Sequence, residues 1–144
     1  MKISDYFASW EEFSSLLHEK FNYPNRYPSK FIEYVFTNIQ KFEYEYIPNW
    51  EDLDDTEIFD IVCWKKNYDG QLYVITDALY EKGRGPLKID GFFLRELVQK
   101  HRAFFGEPFF NGDVLMISFE KKFIWDFHHN GASANIDLSN IEFG

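Results

Sequence analysis

The stretch that most limits what this chain can become is GDVLMISFEKKFIWDFHHNG, residues 112–131. Two runs rich in β-branched and aromatic residues, 113–120 and 123–128, flank Lys121-Lys122, and that pattern calls for an antiparallel hairpin. Alternation along the runs is expected to set Ile117, Phe119, Phe123, Trp125 and Phe127 on one buried face. A hairpin that apolar needs the rest of the chain to cover it.

The rest supplies helices first. Ser9 and Glu12 have capping-box spacing, and Trp10, Phe13, Leu16, Leu17 and Phe21 share one stripe, so a helix is expected over residues 10–20. The connector NYPNRYP ends it, and Ser29 is placed to cap a second helix with Phe31, Ile32, Val35, Phe36, Ile39 and Phe42 on one face. From Phe42 the period falls to two, which suits a short strand or extended arm reaching Pro48. Residues 58–66 and 71–77 read as another hairpin about Asn67-Tyr68-Asp69-Gly70, with Gly70 at positive φ. EKGRGP, residues 81–86, is a connector without the ending of a phosphate loop, and Asp90 can cap a third helix over 91–105. That helix would carry Phe93, Leu97, His101 and Phe104 or Phe105 at helical spacing. After Gly131, Ile136, Leu138 and Ile141 mark a last short element docked on the body. The expectation is one acidic α+β domain over residues 1–144, a mainly antiparallel sheet of hairpins packed against about three helices on one side.

Composition narrows function more than fold. The formal net charge of -9 argues against nucleic-acid binding, which needs cations to displace condensed counterions, and favours basic partners. Six of the basic residues cluster in residues 82–102, a local exception. A single cysteine, Cys63, rules out an internal disulfide and a multi-cysteine zinc site, and its setting in IFDIVCW suits a buried, inert thiol. No run of 18 apolar residues and no signal-peptide pattern occurs, so no membrane contact and a cytoplasmic location are expected.

The best functional clue is EYEYIPNWEDLDDTEIFD, residues 43–60, with eight carboxylates and no Lys or Arg. Its acids cluster rather than disperse, and rigid amphipathic rings are interleaved where an interface would use them. Tyr44, Tyr46, Trp50, Glu51, Asp52, Asp54, Asp55 and Glu57 are therefore the candidate partner-binding residues, a surface that would steer a basic protein.

Catalytic signatures are sparse. Asp126 and His128 would share a strand face while His129 points away, the one dense cluster of suitable residue types. A small hydrolase or metal-dependent enzyme would need His18 or His101 brought beside them. No Gly-x-Ser-x-Gly elbow, calcium loop or glycine-rich phosphate loop occurs, so no tightly bound metal or organic cofactor is expected.

With the acidic aromatic segment, the α+β pattern and the closing hairpin in view, the chain resembles the small immunity proteins of bacterial polymorphic toxin systems, including contact-dependent growth inhibition. The resemblance is one of size, charge and element order over the whole chain. It implies a non-enzymatic cytoplasmic protein that binds one cognate toxin domain, often a basic nuclease, and blocks it. The basic stretch at residues 82–102 departs from a purely acidic contact surface.

Overall fold

The computed structural model describes residues 1–25, 27–39, 42–62, 68–82 and 84–139. Its sheet has six antiparallel strands: β1 Glu43–Tyr46, β2 Gln71–Thr76, β3 Leu87–Asp90, β4 Val114–Ser118, β5 Phe123–Phe127 and β6 Ala132–Asp137. They lie in the order β1-β6-β5-β4-β2-β3. The described helices are α1 Trp10–Phe21, α2 Phe31–Asn38, α3 Asp55–Val62, α4 Asp77–Glu81 and α5 Leu94–Phe105. The α+β class with an antiparallel sheet is as the sequence indicates. No described helix is long and apolar enough to cross a membrane.

The hairpin at the centre forms as expected, with Val114 opposite Phe127 and Ser118 opposite Phe123, closed by a turn in which Lys122 has φ 52°. Its burial differs from the expectation. Every residue of β4 and β5 is buried, and their side chains divide between two cores. Val114, Met116, Phe123, Trp125 and Phe127 join residues of α3, α4 and α5, whereas Leu115, Ile117, Ile124 and Phe119 join residues of α1 and α2. Helices therefore cover both faces of the sheet, not one. The physical reason was present in VLMI and FIW, runs without polar alternation that leave no face fit for water.

A second correction concerns residues 58–66. Ile58 to Val62 belong to α3, because Ile58, Phe59 and Val62 fall on one helical face and Asp54 and Glu57 cap its start. The remainder of that proposed strand, with Cys63 and Asn67, lies outside the described residues. Gly70 does take positive φ, 92°, but β2 pairs with β3 and β4 instead of a strand before it. The four-residue β3 follows the 81–86 connector directly and was not expected from the sequence.

Local signals set the helix ends. Ser9 Oγ accepts the Glu12 amide at 3.0 Å, while the Glu12 carboxylate turns to the Tyr73 hydroxyl at 2.7 Å rather than back to Ser9. The second helix begins at Phe31, not after Ser29, since Pro28–Lys30 form a 3-10 turn, and it ends before Ile39 and Phe42. Asp90 accepts the Phe92 amide at 2.8 Å but caps a 3-10 turn, Gly91–Phe93, that leads into α5 at Leu94, and Gly106 at φ 78° stops α5. The tail element is β6, seated between β5 and β1.

The sheet's two edges are finished differently. Beside β3, the segment before α1 adds a strand-like cover: Phe7 bridges Leu87, the Lys88 amide donates to Tyr6 O at 2.8 Å, and the Ala8 amide donates to Pro86 O at 2.9 Å. At the other edge all four residues of β1 are exposed.

Candidate functional site

The acidic segment runs from the β1 edge, around the end of the sheet, into α3. After β1 the Ile47 amide donates to Gly131 O at 2.9 Å, and a 3-10 turn at Trp50–Asp52 follows. Trp50 is pinned there: its ring meets Phe127 edge-on at 5.3 Å, and Nε1 donates to His129 O at 3.0 Å. Gly131, at φ 94°, leaves room for this, because a Cβ would come within 2.8 Å of the indole and 2.6 Å of Ile47 O.

Beyond Trp50 the carboxylates take structural work. Asp54 Oδ1 accepts the Glu57 amide at 2.8 Å and Glu57 Oε1 accepts the Asp54 amide at 3.3 Å, a reciprocal cap for α3. The two oxygens of Asp55 accept the Phe109 and Phe110 amides at 2.8 and 3.1 Å, tying α3 to the segment after α5. Asp60 meets Arg95 at 2.8 Å, whose guanidinium also lies over the Phe59 ring.

The eight sequence candidates thus fall into linked but unequal places. Trp50, Glu51, Asp54 and Asp55 line a cleft of about 610 Å³ with Arg102 and His129 on its other walls. Tyr46, Trp50, Glu51 and Asp52 line a smaller depression, about 340 Å³, that also reaches His129. Tyr44 stands farther along β1, in a third depression with Phe42, Glu43, Glu45 and Asn135. Glu57 is exposed but committed to its cap. Tyr44 and Tyr46 are 65% and 62% exposed, enough to act as contact anchors.

Residues that sequence reasoning missed include His129, Arg102 and the pair Glu43 and Glu45. His129 was expected to point away from His128, yet the two ring centroids lie 4.0 Å apart and His129 lines the cleft. Arg102 belongs to the basic stretch, which the fold disperses: Lys88 meets Glu12, Arg95 meets Asp60, Lys100 meets Glu96, and Arg84 lies over Phe7. Sequence clustering of those charges did not produce one patch.

Asp126 and His128 were expected on one strand face, but β5 ends at Phe127 and His128 lies beyond it, so their surroundings differ. Asp126 is buried between Leu115 and Ala134 in the register, and burial, then the nearby Asp113 charge, pushes its carboxyl up to about 7. His128 is exposed, and its Nδ1 accepts the Asn130 amide at 3.2 Å. Asp113 Oδ1 accepts the His129 amide at 2.8 Å and faces His129 Nδ1 at 3.1 Å. Asp113, His128 and His129, all exposed, bring ligand-type atoms within 4.8 Å of one another, and the bonds at Asp113 Oδ1 and His128 Nδ1 hold the loop in place while leaving Asp113 Oδ2 and His129 Nε2 uncommitted among the described residues. Their arrangement is that of a locked β5–β6 turn.

The other histidines lie elsewhere. His101 is fully buried beneath the opposite sheet face, its Nδ1 donating to Glu107 O at 2.8 Å and its Nε2 accepting the Thr76 hydroxyl at 2.9 Å. Burial lowers its pKa, which suits a neutral ring with both nitrogens satisfied. His18 sits on α1 with Nδ1 toward Tyr23 O at 3.3 Å. Neither stands beside Asp126. The chain matches no family model, no curated protein and no solved structure.

Proposed function

We propose that this protein is an immunity-type inhibitor that binds and neutralises a basic protein toxin domain in the cytoplasm, with the acidic aromatic end of the sheet as its contact surface. One observation carries the reading: Tyr46, the pinned Trp50, Glu51, Asp52, Asp54 and Asp55 line two adjoining depressions within a segment that has no Lys or Arg. A fixed indole flanked by an exposed tyrosine and by carboxylates that outnumber the cleft cation, Arg102, is suited to a basic protein surface, where the rings supply contact area and the charges speed encounter. A basic nuclease fits that chemistry, since its own substrate is a polyanion.

The alternative, a hydrolase or metal enzyme built on Asp126 and His128, has less support. Asp126 is inside the fold, and His128 is engaged at a turn. The deciding experiment is a kinetic binding assay against the protein encoded by the neighbouring reading frame, with rescue of growth on toxin expression as the cellular readout. A tight complex with rescue, kept in Asp126→Asn and His128→Ala, is the expected result. Absence of both binding and rescue would overturn the reading.

A further inference from the structure

The two sheet edges pose a question that the cleft does not answer. The β3 edge is closed by the chain's own residues 6–8. Nothing among the described residues pairs with the outer side of β1. Open edges are usually blunted, because their unpaired amides and carbonyls accept foreign strands. Here two Glu residues share the strand with two Tyr that are more than half exposed, beside Phe42 at 39%.

The direction of the free groups follows from the register. The Ile47 amide bonds to Gly131 O, and Tyr46 is opposite Ala132, so Ile47 occupies a hydrogen-bonded pair. Alternation then turns the peptide groups of Glu43 and Glu45 inward to β6 and those of Tyr44 and Tyr46 outward. Side chains divide the other way. Tyr44, opposite Ala134, is on the α1 and α2 face, and Glu43, opposite Asn135 and thence Trp125, is on the other. An incoming strand would meet two amides and two carbonyls, with a row of Tyr on one side and a row of Glu on the other.

We infer that β1 is a docking edge for an extended strand of a basic partner, one carrying Lys or Arg at alternate positions opposite Glu43 and Glu45 and apolar or aromatic residues opposite Tyr44 and Tyr46. This deepens the neutralisation reading and rests on it for the identity of the partner. A second copy of the chain is the wrong occupant. Antiparallel self-pairing that keeps like faces together sets Glu43 against Glu45 or Glu45 against itself, between two molecules each of net charge -9. Opposite charge on the incoming strand turns the same cross-strand contacts favourable.

The test separates backbone docking from side-chain contact. Tyr44→Ala removes the ring and keeps the outward amide, whereas Tyr44→Pro removes both without touching the β1–β6 ladder, as proline is tolerated on an edge whose N–H faces away. Against the neighbouring frame's protein, Tyr44→Pro is expected to bind about fivefold or more weakly than Tyr44→Ala, the range of one lost hydrogen bond. Amide exchange at Tyr44 and Tyr46 should slow on complex formation, and both variants should keep the parent's melting temperature. A complex with those amides still exchanging freely, and with Ala and Pro equal, overturns strand docking and leaves neutralisation standing. If no complex forms, neutralisation falls, and an acetylated Thr-Lys-Tyr-Lys-Thr peptide decides the edge alone. Amide shifts confined to residues 42–46 and 132–135 support docking, and shifts elsewhere or none overturn it.

Discussion

Along residues 43–52 the carboxylates of Glu43, Glu45, Glu51 and Asp52 are on exposed residues, whereas along residues 54–60 those of Asp54, Asp55, Glu57 and Asp60 are tied to amides or to Arg95. Both halves look alike as text, a run of acids among apolar residues. In the fold the second half also holds the chain's own backbone, and Asp60 is offset by Arg95; Asp54, Asp55 and Glu57 keep their charge but lose the freedom to turn toward a partner. A charge count over the whole segment therefore overstates the side chains free for direct contact rather than the field that steers a partner.

A carboxylate buried within the sheet gives the extreme of that comparison. Asp126 has its folded-state pKa raised to about 7, so between about pH 4 and 7 the unfolded chain ionises while the folded one holds its proton. Stability is expected to fall as pH rises through that window, by on the order of 4 kcal/mol. Thermal unfolding of Asp126→Asn across pH 4 to 8 should show the fall largely removed; a parallel pair of curves would contradict it.

Next in size is Asp55. Its replacement by Ala strands the Phe109 and Phe110 amides in a part-buried site, which should cost about 2–3 kcal/mol in a denaturant titration. Wild-type stability in this variant would erase the distinction between the two halves. Asp54→Ala removes a helix cap and should cost about 1 kcal/mol by the same measurement. The smallest effect on folding belongs to Glu51→Lys with Asp52→Lys, whose melting temperature should match the parent's. Its association with a basic partner should be slower and less dependent on salt in stopped-flow or surface kinetics. Unchanged rates would move the contact surface away from this turn.

What the sequence disclosed, and what it withheld, divides along similar lines. The β4–β5 hairpin, the Ser9 cap, the Asp90 cap and the β1 alternation rest on neighbours a few residues apart, and each was readable. The Asp54–Glu57 spacing was equally local, yet the abundance of acids around it drew the reading toward surface charge. Asp55 could not be assigned from sequence, since its amide partners are 54 and 55 residues away. Trp50 was chosen for its ring, but the hold on its indole comes from a carbonyl 79 residues on. The same holds for the dispersal of the basic stretch, where Lys88 and Arg95 find acids on α1 and α3. Even the two-sided burial of the sheet was written in the apolar runs of β4 and β5; expecting alternation concealed it.

The pairing of β1 with β6 has a consequence in time. Glu43 waits for Asn135, about ninety residues later, so loop closure makes this one of the slower contacts to form. On a ribosome adding about 5–20 residues per second, a Tyr-rich segment would remain without its sheet partner for several seconds. Its Glu residues would repel identical segments emerging from neighbouring ribosomes on the same message. The charges that suit a foreign basic strand would thus also guard the newborn chain against its own siblings.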